Sequence, residues 1–213
     1  MENANLLYEA ILKGNLEQAI RVTQETIDAQ IDPQILINEQ MVRAMNEIGD
    51  RFEKHQAYVP ELLLAARAMK GSLELLRPLL VNSSDQRNDI IVIGTVKGDM
   101  HDIGKNLVAS MLEGCGFETI NLGVDVSTDK FVETVKSSGA TLVGLSALLT
   151  TTMTTMKEVI EGFKECGIRD KVKIMVGGAP VTQQFAFSIG ADGYSSNANS
   201  AVALARKLVS SMK

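Results

Sequence analysis

The sequence predicts an α/β protein in two parts: a bundle of four helices over residues 1–81 and a five-stranded parallel-sheet domain over residues 89–213, joined by a linker at residues 82–88. Three observations predict this organisation. Up to about residue 80, apolar residues recur at helical spacing. From Asp89 onward, short apolar runs alternate with helical stretches, as in parallel-sheet domains. The segment between the two parts, residues 82–88, is polar and has no apolar periodicity.

Four amphipathic segments make up the N-terminal part. The first runs from Leu6 to Leu12, and the second begins at Leu16. Asp32-Pro33 supplies an N-cap and a first-turn proline for the third segment, and Pro60 begins the fourth. Because the connections between these segments are short, we expect the helices to pack antiparallel as a small bundle.

The C-terminal part alternates strands and helices. Strands are predicted at residues 90–93, 118–122, 141–146, 172–176 and 193–194, with helices between them and a last helix over residues 197–212. This order indicates a five-stranded parallel sheet of flavodoxin-like or Rossmann-like type. No Gly-x-Gly-x-x-Gly follows the first strand and no Gly-x-x-x-x-Gly-Lys-Ser/Thr occurs, so the usual signals for dinucleotide and nucleoside triphosphate binding are missing.

The composition argues against several kinds of partner. A formal net charge of -5 over 213 residues disfavours nucleic acid or an anionic membrane. No run approaches the ~18 apolar residues of a membrane span, and the acidic, polar first residues are unlike a secretion signal. The two cysteines do not form a Cys-x-x-Cys pair, and two histidines are too few for a multi-histidine metal site. We therefore expect a cytoplasmic protein.

The loop after the first predicted strand carries the side chains best suited to chemistry. Asp99, His101 and Asp102 lie between Gly98 and Gly104. Loops at the carboxyl ends of parallel strands are where ligands bind, and the two glycines let the backbone approach a large flat ligand. The imidazole can ligate a metal while the carboxylate of Asp99 holds its other ring nitrogen.

Three further loops are predicted at the same edge of the sheet. They are residues 146–152, 177–180 and 194–198, and they offer small residues and hydroxyl groups. Such a surface suits a long ligand that lies in a slot and forms hydrogen bonds better than it suits a phosphate group alone.

These residues together resemble a known signature. Asp99-Met-His-Asp-Ile-Gly104, then Ser146-Ala-Leu148, then Gly177-Gly178 are similar to the cobalamin-binding motifs Asp-x-His-x-x-Gly, Ser-x-Leu and Gly-Gly. The preceding helices resemble the cap of the cobalamin module of methionine synthase. Nearly the whole chain resembles the free-standing corrinoid proteins of methyltransferase systems, which demethylate methylamines, methanol or phenyl methyl ethers (O-demethylases) in the one-carbon metabolism of anaerobes.

The resemblance implies a cofactor and its ligand. The cofactor would be cobalamin or a related corrinoid, cycling between cob(I)alamin and methylcob(III)alamin. In the family, the benzimidazole tail leaves cobalt and the motif histidine replaces it, so His101 would be the lower axial ligand and Asp99 its partner. Thr152 occupies the place where methionine synthase has a serine that extends the relay.

The resemblance also implies the remaining contacts. The loop under the corrin ring would be formed by Gly98, Met100, Asp102, Ile103 and Gly104. The slot for the cofactor tail would be formed by Ser146, Leu148, Thr150, Gly177, Gly178 and Ala198. Phe52 and Val59 fall where the cap shields the upper face of the corrin, and a valine covers less area there than the family's leucine. Each also has a simpler interpretation: Phe52 as bundle core and Asp102 as the N-cap of its helix.

The function implied is that of a methyl carrier with little or no turnover of its own. It would take a methyl group from a substrate-specific methyltransferase and pass it to a second one, whose acceptor is tetrahydrofolate or coenzyme M, with a reductive activase as a further partner. Two alternatives remain: the cobalamin subunit of a mutase, which the helical cap disfavours, and a cobalamin-dependent regulator. A DNA-binding regulator is disfavoured because no segment precedes the bundle and the charge is negative.

Overall fold

The computed structural model describes residues 2–80 and 89–212, so the predicted linker at residues 82–88 lies outside the described residues. The chain divides into two compact units, Met1–Asn88 with Ser110–Gly116 and Asp89–Ala109 with Phe117–Lys213. The domain boundaries predicted from the sequence remain a prediction. Within the described part of the chain, no helix combines the length and the apolarity needed to cross a membrane.

The first unit contains the predicted helices. They are α1 (Glu2–Leu12), α2 (Leu16–Asp28), α3 (Pro33–Leu36), α4 (Val42–Glu53) and α5 (Val59–Leu80), with a π-helical turn (Ile37–Met41) joining α3 to α4. Asp32 caps α3 as predicted, since its carboxylate accepts a hydrogen bond from the backbone N–H of Gln34 at 2.8 Å. The start predicted at Pro60 lies one residue late, because Val59 already has helical geometry.

The third predicted helix differs from a regular one. Its apolar residues Met41, Met45 and Ile48 are buried, as the periodicity indicated. The π-helical turn inserts one extra residue per turn at Ile37–Met41 and so shifts the phase of the helix between α3 and α4. Apolar periodicity alone does not reveal such a shift, because the same residues fit one continuous stripe.

The second unit is a five-stranded parallel sheet covered by helices. Its elements, counting α6 although that helix ends in the first unit from Ser110 onward, are β1 (Ile90–Thr95), α6 (Ile103–Gly114), β2 (Glu118–Asn121), α7 (Thr128–Ser138), β3 (Leu142–Ser146), α8 (Met153–Glu165), β4 (Lys173–Gly177), α9 (Gln183–Ile189), β5 (Gly193–Ser195) and α10 (Ala198–Ser210), with a 3-10 turn at Arg169–Lys171. The strand order is β2-β1-β3-β4-β5, the flavodoxin-like order. The predicted fold class is confirmed.

The sequence forms these strands because their side chains are apolar on both faces. Nearly all residues of β1 and β3 are buried, as expected for a parallel sheet with helices on both sides. Phe131 of α7 and Phe163 of α8 pack fully buried in the core beside them. The order of the strands reverses on either side of β1, and this reversal places a crevice at the carboxyl ends of β1 and β3.

Candidate functional site at the carboxyl edge of the sheet

The loop between β1 and α6 is held at both ends. The backbone N–H of Asp99 donates to the carbonyl oxygen of Val96 at 3.2 Å, which closes a tight turn after β1. Gly98 adopts a positive φ of 86° within this turn, a conformation that glycine adopts without strain. At the far end, the hydroxyl of Thr95 donates to the carbonyl oxygen of His101 at 2.9 Å. The turn therefore presents Asp99 and His101 in one defined arrangement.

His101 and Asp99 form the pair that the sequence predicted. Nδ1 of His101 lies 2.8 Å from Oδ1 of Asp99, and the backbone N–H of His101 donates to the same oxygen at 3.1 Å. Because an ionised carboxylate only accepts hydrogen bonds, the hydrogen lies on Nδ1 and the neutral ring keeps its lone pair on Nε2. The side chain of His101 is 51% exposed, whereas that of Asp99 is 0% exposed. The pair thus leaves Nε2 of His101 available to a metal at the surface, while the buried Asp99 holds the ring through Nδ1.

The carboxylate of Asp99 has donors on its other oxygen as well. Oδ2 accepts from the backbone N–H groups of Leu148 at 2.7 Å and Leu149 at 3.2 Å, and from the hydroxyl of Thr152 at 2.7 Å. Burial by itself raises the pKa of this carboxyl group, but the hydrogen bonds from Leu148, Thr152 and His101 outweigh it and hold the pKa of Asp99 well below its usual range. Asp99 is therefore charged at neutral pH.

Thr152 joins this pair from the loop between β3 and α8. It occupies the N-cap position of α8, yet its side chain caps no backbone N–H of that helix. Its hydroxyl lies 2.7 Å from Oδ2 of Asp99 and 2.9 Å from the carbonyl oxygen of Leu149. A hydroxyl has one hydrogen, and the charged carboxylate is the stronger acceptor. The three residues of the predicted relay are thus in contact, from Thr152 through Asp99 to His101.

Large apolar side chains are exposed on the same two loops. Met100 is 69% exposed and Ile103 is 87% exposed, and Leu148 and Leu149 are also exposed. Exposed apolar groups beside a metal-binding imidazole indicate a surface that a ligand covers. A flat macrocycle with an apolar face and a metal that lacks one axial ligand fits this set of groups.

Small residues lie side by side at the ends of three strands. The register pairs Ser146 of β3 with Gly177 of β4, and Gly177 with Ser195 of β5. Gly178 has a φ of 131°, and a Cβ atom added there would overlap the carbonyl oxygen of Ala147. The loops after β3 and β4 therefore approach each other backbone to backbone, and the small side chains beside them leave room for the predicted slot.

The other predicted site residues occupy several positions. Ala198 is the buried first residue of α10, next to the end of β5, and Thr150 is exposed in the loop after β3. Asp102 accepts a hydrogen bond from the side-chain amide of Asn106 at 2.8 Å and lies just before the first turn of α6, while Gly104, within that turn, is open to solvent. In the helical unit, Phe52 is half-buried on α4 and Val59 is exposed at the start of α5, and a shielding role for them remains a prediction.

Sequence reasoning missed two groups beside this site. Lys105, on α6, is only 3% exposed, and its Nζ donates to the amide oxygens of Asn106 at 2.6 Å and Asn121 at 2.8 Å. Burial lowers the pKa of Lys105, and the charge of Asp102 partly offsets this. Asp125 follows β2 and contacts the loop of His101 directly. Their signal in the sequence was weak, since a lysine or aspartate near a predicted loop is usually solvated.

The chain is similar to known proteins over most of its length. A family model described as a B12 binding domain matches residues 90–203, and a second model with the same description matches residues 4–77. Dimethylamine corrinoid protein 1 of Methanosarcina acetivorans is 43% identical over 91% of each chain. Trimethylamine corrinoid protein 2 of Methanosarcina mazei is 44% identical over 91% of this chain and 90% of its own.

Solved structures are similar over the same length. A cobalamin-binding protein from Desulfitobacterium hafniense superposes with a TM-score of 0.82 at 30% identity, covering 98% of this chain and 99% of that one. The methanol:cobalamin methyltransferase complex from Methanosarcina barkeri contains a chain that superposes with a TM-score of 0.80 at 27% identity, covering 98% of this chain and 80% of that one.

Proposed function

This chain belongs to the B12-binding corrinoid proteins of methyltransferase systems, and on that premise we propose that it carries methyl groups from a methylamine-specific methyltransferase to a second methyltransferase. Its cofactor is cobalamin or a related corrinoid. The names of its relatives, dimethylamine corrinoid protein and trimethylamine corrinoid protein, support a methyl-carrying role and methylamines as the donor class. These relatives favour the carrier over the mutase subunit and the regulator.

One observation carries the proposal for how this chain acts. The Nε2 atom of His101 is exposed at the carboxyl edge of the sheet while its Nδ1 atom is held by Asp99 at 2.8 Å. When bound, the cobalt supplies the group-transfer chemistry, both as the nucleophile and as the leaving group. In this proposal Nε2 of His101 would ligate the cobalt, while Asp99 would orient the ring and raise its basicity.

The residues around the pair give the ligand its support. Asp99 keeps its charge because two backbone N–H groups and the hydroxyl of Thr152 donate to it. Met100, Ile103 and Leu148 would cover the lower face of the corrin ring and exclude water there, with Gly98, Asp102 and Gly104 completing the loop. The slot between the ends of β3, β4 and β5 would hold the cofactor tail, and Phe52 and Val59 would shield the upper face.

The partners follow from the same proposal. A substrate-specific methyltransferase is supported by the methanol:cobalamin methyltransferase complex, one chain of which has this fold. A second methyltransferase that passes the methyl group to coenzyme M or tetrahydrofolate, and an activase that reduces oxidised cobalt, complete the proposed cycle. Each partner would have to reach the face of the bound corrin opposite His101.

The test uses the full chain loaded with hydroxocobalamin and reduced. Methylamine, dimethylamine, trimethylamine and methanol are offered in turn, each with its methyltransferase, and the visible spectrum reports whether the corrinoid is methylated. We expect methylation with a methylamine. Binding of the corrinoid without methylation by any donor would contradict the carrier role.

The ligand is tested with a matched pair of variants. His101→Ala should bind cobalamin more weakly and lose the spectrum of histidine-ligated cobalt, whereas His55→Ala, in the helical unit, should keep both. An unchanged spectrum in His101→Ala would remove His101 as the ligand.

A further inference from the structure

We infer that Asp125 is a positioning residue for the metal-ligand loop: it holds the backbone around Asp99 in place and thereby aims the Asp99 carboxylate at His101. This inference rests on the proposed role of His101 as the axial ligand. Asp125 lies in the loop between β2 and α7, and none of the cobalamin-binding motifs includes it.

Asp125 contacts the ligand loop through both its side chain and its backbone. Its Oδ1 atom accepts a hydrogen bond from the backbone N–H of Gly98 at 2.8 Å. Its own backbone N–H donates to the carbonyl oxygen of Asp99 at 3.0 Å. The two hydrogen bonds bracket the Gly98–Asp99 dipeptide, so one residue restrains this stretch of backbone from both sides.

The backbone of Asp125 is unusual in a way that serves this contact. Its φ is 54°, in the left-handed region that residues other than glycine rarely adopt, although aspartate and asparagine tolerate it best. Such a conformation persists only where the surrounding structure holds it. Here the flanking residue Val126 donates to the carbonyl oxygen of Thr95 at 3.0 Å, and Thr95 donates to that of Gly123 at 3.0 Å. These hydrogen bonds continue the pairing with β1 past the end of β2 and place Asp125 beside the ligand loop.

The simplest structural role for the Asp125 side chain, capping the helix that follows, is performed by another residue. An aspartate just before a helix often caps it, but α7 begins at Thr128 and its cap is Ser127, whose side chain accepts from the backbone N–H of Lys130 at 3.3 Å. Asp125 therefore has no capping function at α7. Its carboxylate instead accepts from Gly98, the residue with positive φ next to Asp99.

The consequence for the ligand follows from geometry. The carboxylate of Asp99 contacts the loop after β3 through Oδ2 and the ring of His101 through Oδ1. Rotation of the Gly98–Asp99 peptide would break one of these contacts or tilt the imidazole. A ligand must be held to within about 0.5 Å of its productive position. Loss of the hydrogen bonds from Asp125 should therefore lower the fraction of cobalt that is ligated by His101.

Three substitutions separate the contacts. Asp125→Asn keeps an acceptor oxygen and tolerance of the left-handed backbone. Asp125→Gly keeps the backbone conformation but removes the acceptor. Asp125→Ala removes the acceptor and disfavours the backbone conformation. Far-UV circular dichroism and the thermal midpoint identify any variant that fails to fold, and Asp125→Gly, which relieves the backbone, keeps the test available if Asp125→Ala does fail.

The first measurement uses protein without cofactor. Amide hydrogen exchange at Gly98 should accelerate by roughly tenfold or more in Asp125→Gly and stay near wild type in Asp125→Asn, because the side-chain acceptor of the Gly98 N–H is lost only in the former. The ring-nitrogen chemical shifts of His101 at fixed pH should also change in Asp125→Gly, while those of His55 serve as the internal reference. Unchanged exchange and shifts in Asp125→Gly would overturn the inference.

The second measurement uses protein loaded with cobalamin. The fraction of histidine-ligated cobalt, read from the visible spectrum, should fall in Asp125→Gly and Asp125→Ala and be preserved in Asp125→Asn. A loss in Asp125→Asn as large as in Asp125→Gly would overturn the role of the acceptor oxygen. If the cofactor-free protein shows the loosened loop while His101→Ala has a wild-type spectrum, the positioning of the loop stands and the axial-ligand proposal fails.

Discussion

A fully buried and a partly buried carboxylate, at opposite edges of the same sheet, are held in opposite ways. Asp192, before β5 at the amino edge, is 17% exposed and pairs with the guanidinium of Arg169 at 2.8 Å and the ammonium of Lys173 at 3.5 Å. Asp99, at the carboxyl edge, is fully buried, and among the described residues no lysine or arginine pairs with it. Its partners are backbone N–H groups, a hydroxyl and an imidazole.

The two sets of partners give the two carboxylates different electrostatic effects on their surroundings. The charge of Asp192 is neutralised by the two cations beside it. Arg169 also donates to the carbonyl oxygen of Gly190 at 2.7 Å, and Asp192 accepts from the backbone N–H of Ile174, so these contacts connect the turn after α9 to the start of β4. Neutral donors stabilise the charge of Asp99 without cancelling it. That charge is left to act on His101, the one partner that can change its protonation or its ligand.

The largest effect is expected at Asp99. Asp99→Ala leaves the N–H groups of Leu148 and Leu149 without their acceptor and His101 without its support, so we expect a loss of about 3 kcal/mol in the free energy of unfolding. Urea unfolding measures the stability. The spectrum of the cobalamin-loaded variant should lose histidine ligation, and retention of wild-type ligation would show that Asp99 does not support the ligand.

Asp192 should separate stability from ligation. Asp192→Ala leaves Arg169 partly buried without its carboxylate, and we expect it to lower the free energy of unfolding by about 2 kcal/mol. The histidine-ligated spectrum of the loaded protein should not change. A spectral change here would mean that the two edges of the sheet are coupled and that the comparison is incorrect.

The pH dependence of stability sharpens the comparison further. Because the pKa of Asp99 is lowered in the folded state, its ionisation contributes stability that is fully present above the unfolded pKa of about 3.9. That contribution declines as the pH falls below this value toward the lower folded pKa. The free energy of unfolding measured from neutral pH to pH 3 in wild type and Asp99→Asn should show a difference that shrinks below about pH 4. A constant difference would contradict the lowered pKa.

The smallest effect is expected at Thr152. Thr152→Val keeps the shape but removes one donor to Asp99, which should cost about 1 kcal/mol and reduce the histidine-ligated fraction only in part, since three backbone donors remain. Thr152→Ser keeps the hydroxyl and should behave like wild type in ligation. Equal spectra for Thr152→Val and Thr152→Ser would remove the hydroxyl from the relay.

Whether a feature could be predicted from the sequence depends on how far apart in the chain the interacting residues lie. The strands were predictable because β1 and β3 are continuous apolar runs, which a sheet buried on both faces requires. The pair of Asp99 and His101 was predictable because the two residues lie two positions apart in the sequence, within one tight turn. The π-helical turn at Ile37–Met41 was not, since a change of helical phase leaves no trace in apolar spacing.

The contact between Asp125 and Gly98 could not be predicted either. It joins loops that are 27 residues apart in sequence, and it depends on a left-handed backbone that the sequence permits without requiring.

The sequence by itself determined the order of helices and strands and the pairing of Asp99 with His101 at the carboxyl edge of the sheet, because each depends on local periodicity or on a short motif. Only the tertiary structure decided what surrounds Asp99. The donors on Oδ2 of its carboxylate come from the loop after β3, and the restraint on its backbone comes from the loop after β2. These contacts exist because parallel strands bring their carboxyl ends together in space, however far apart those ends lie in the chain.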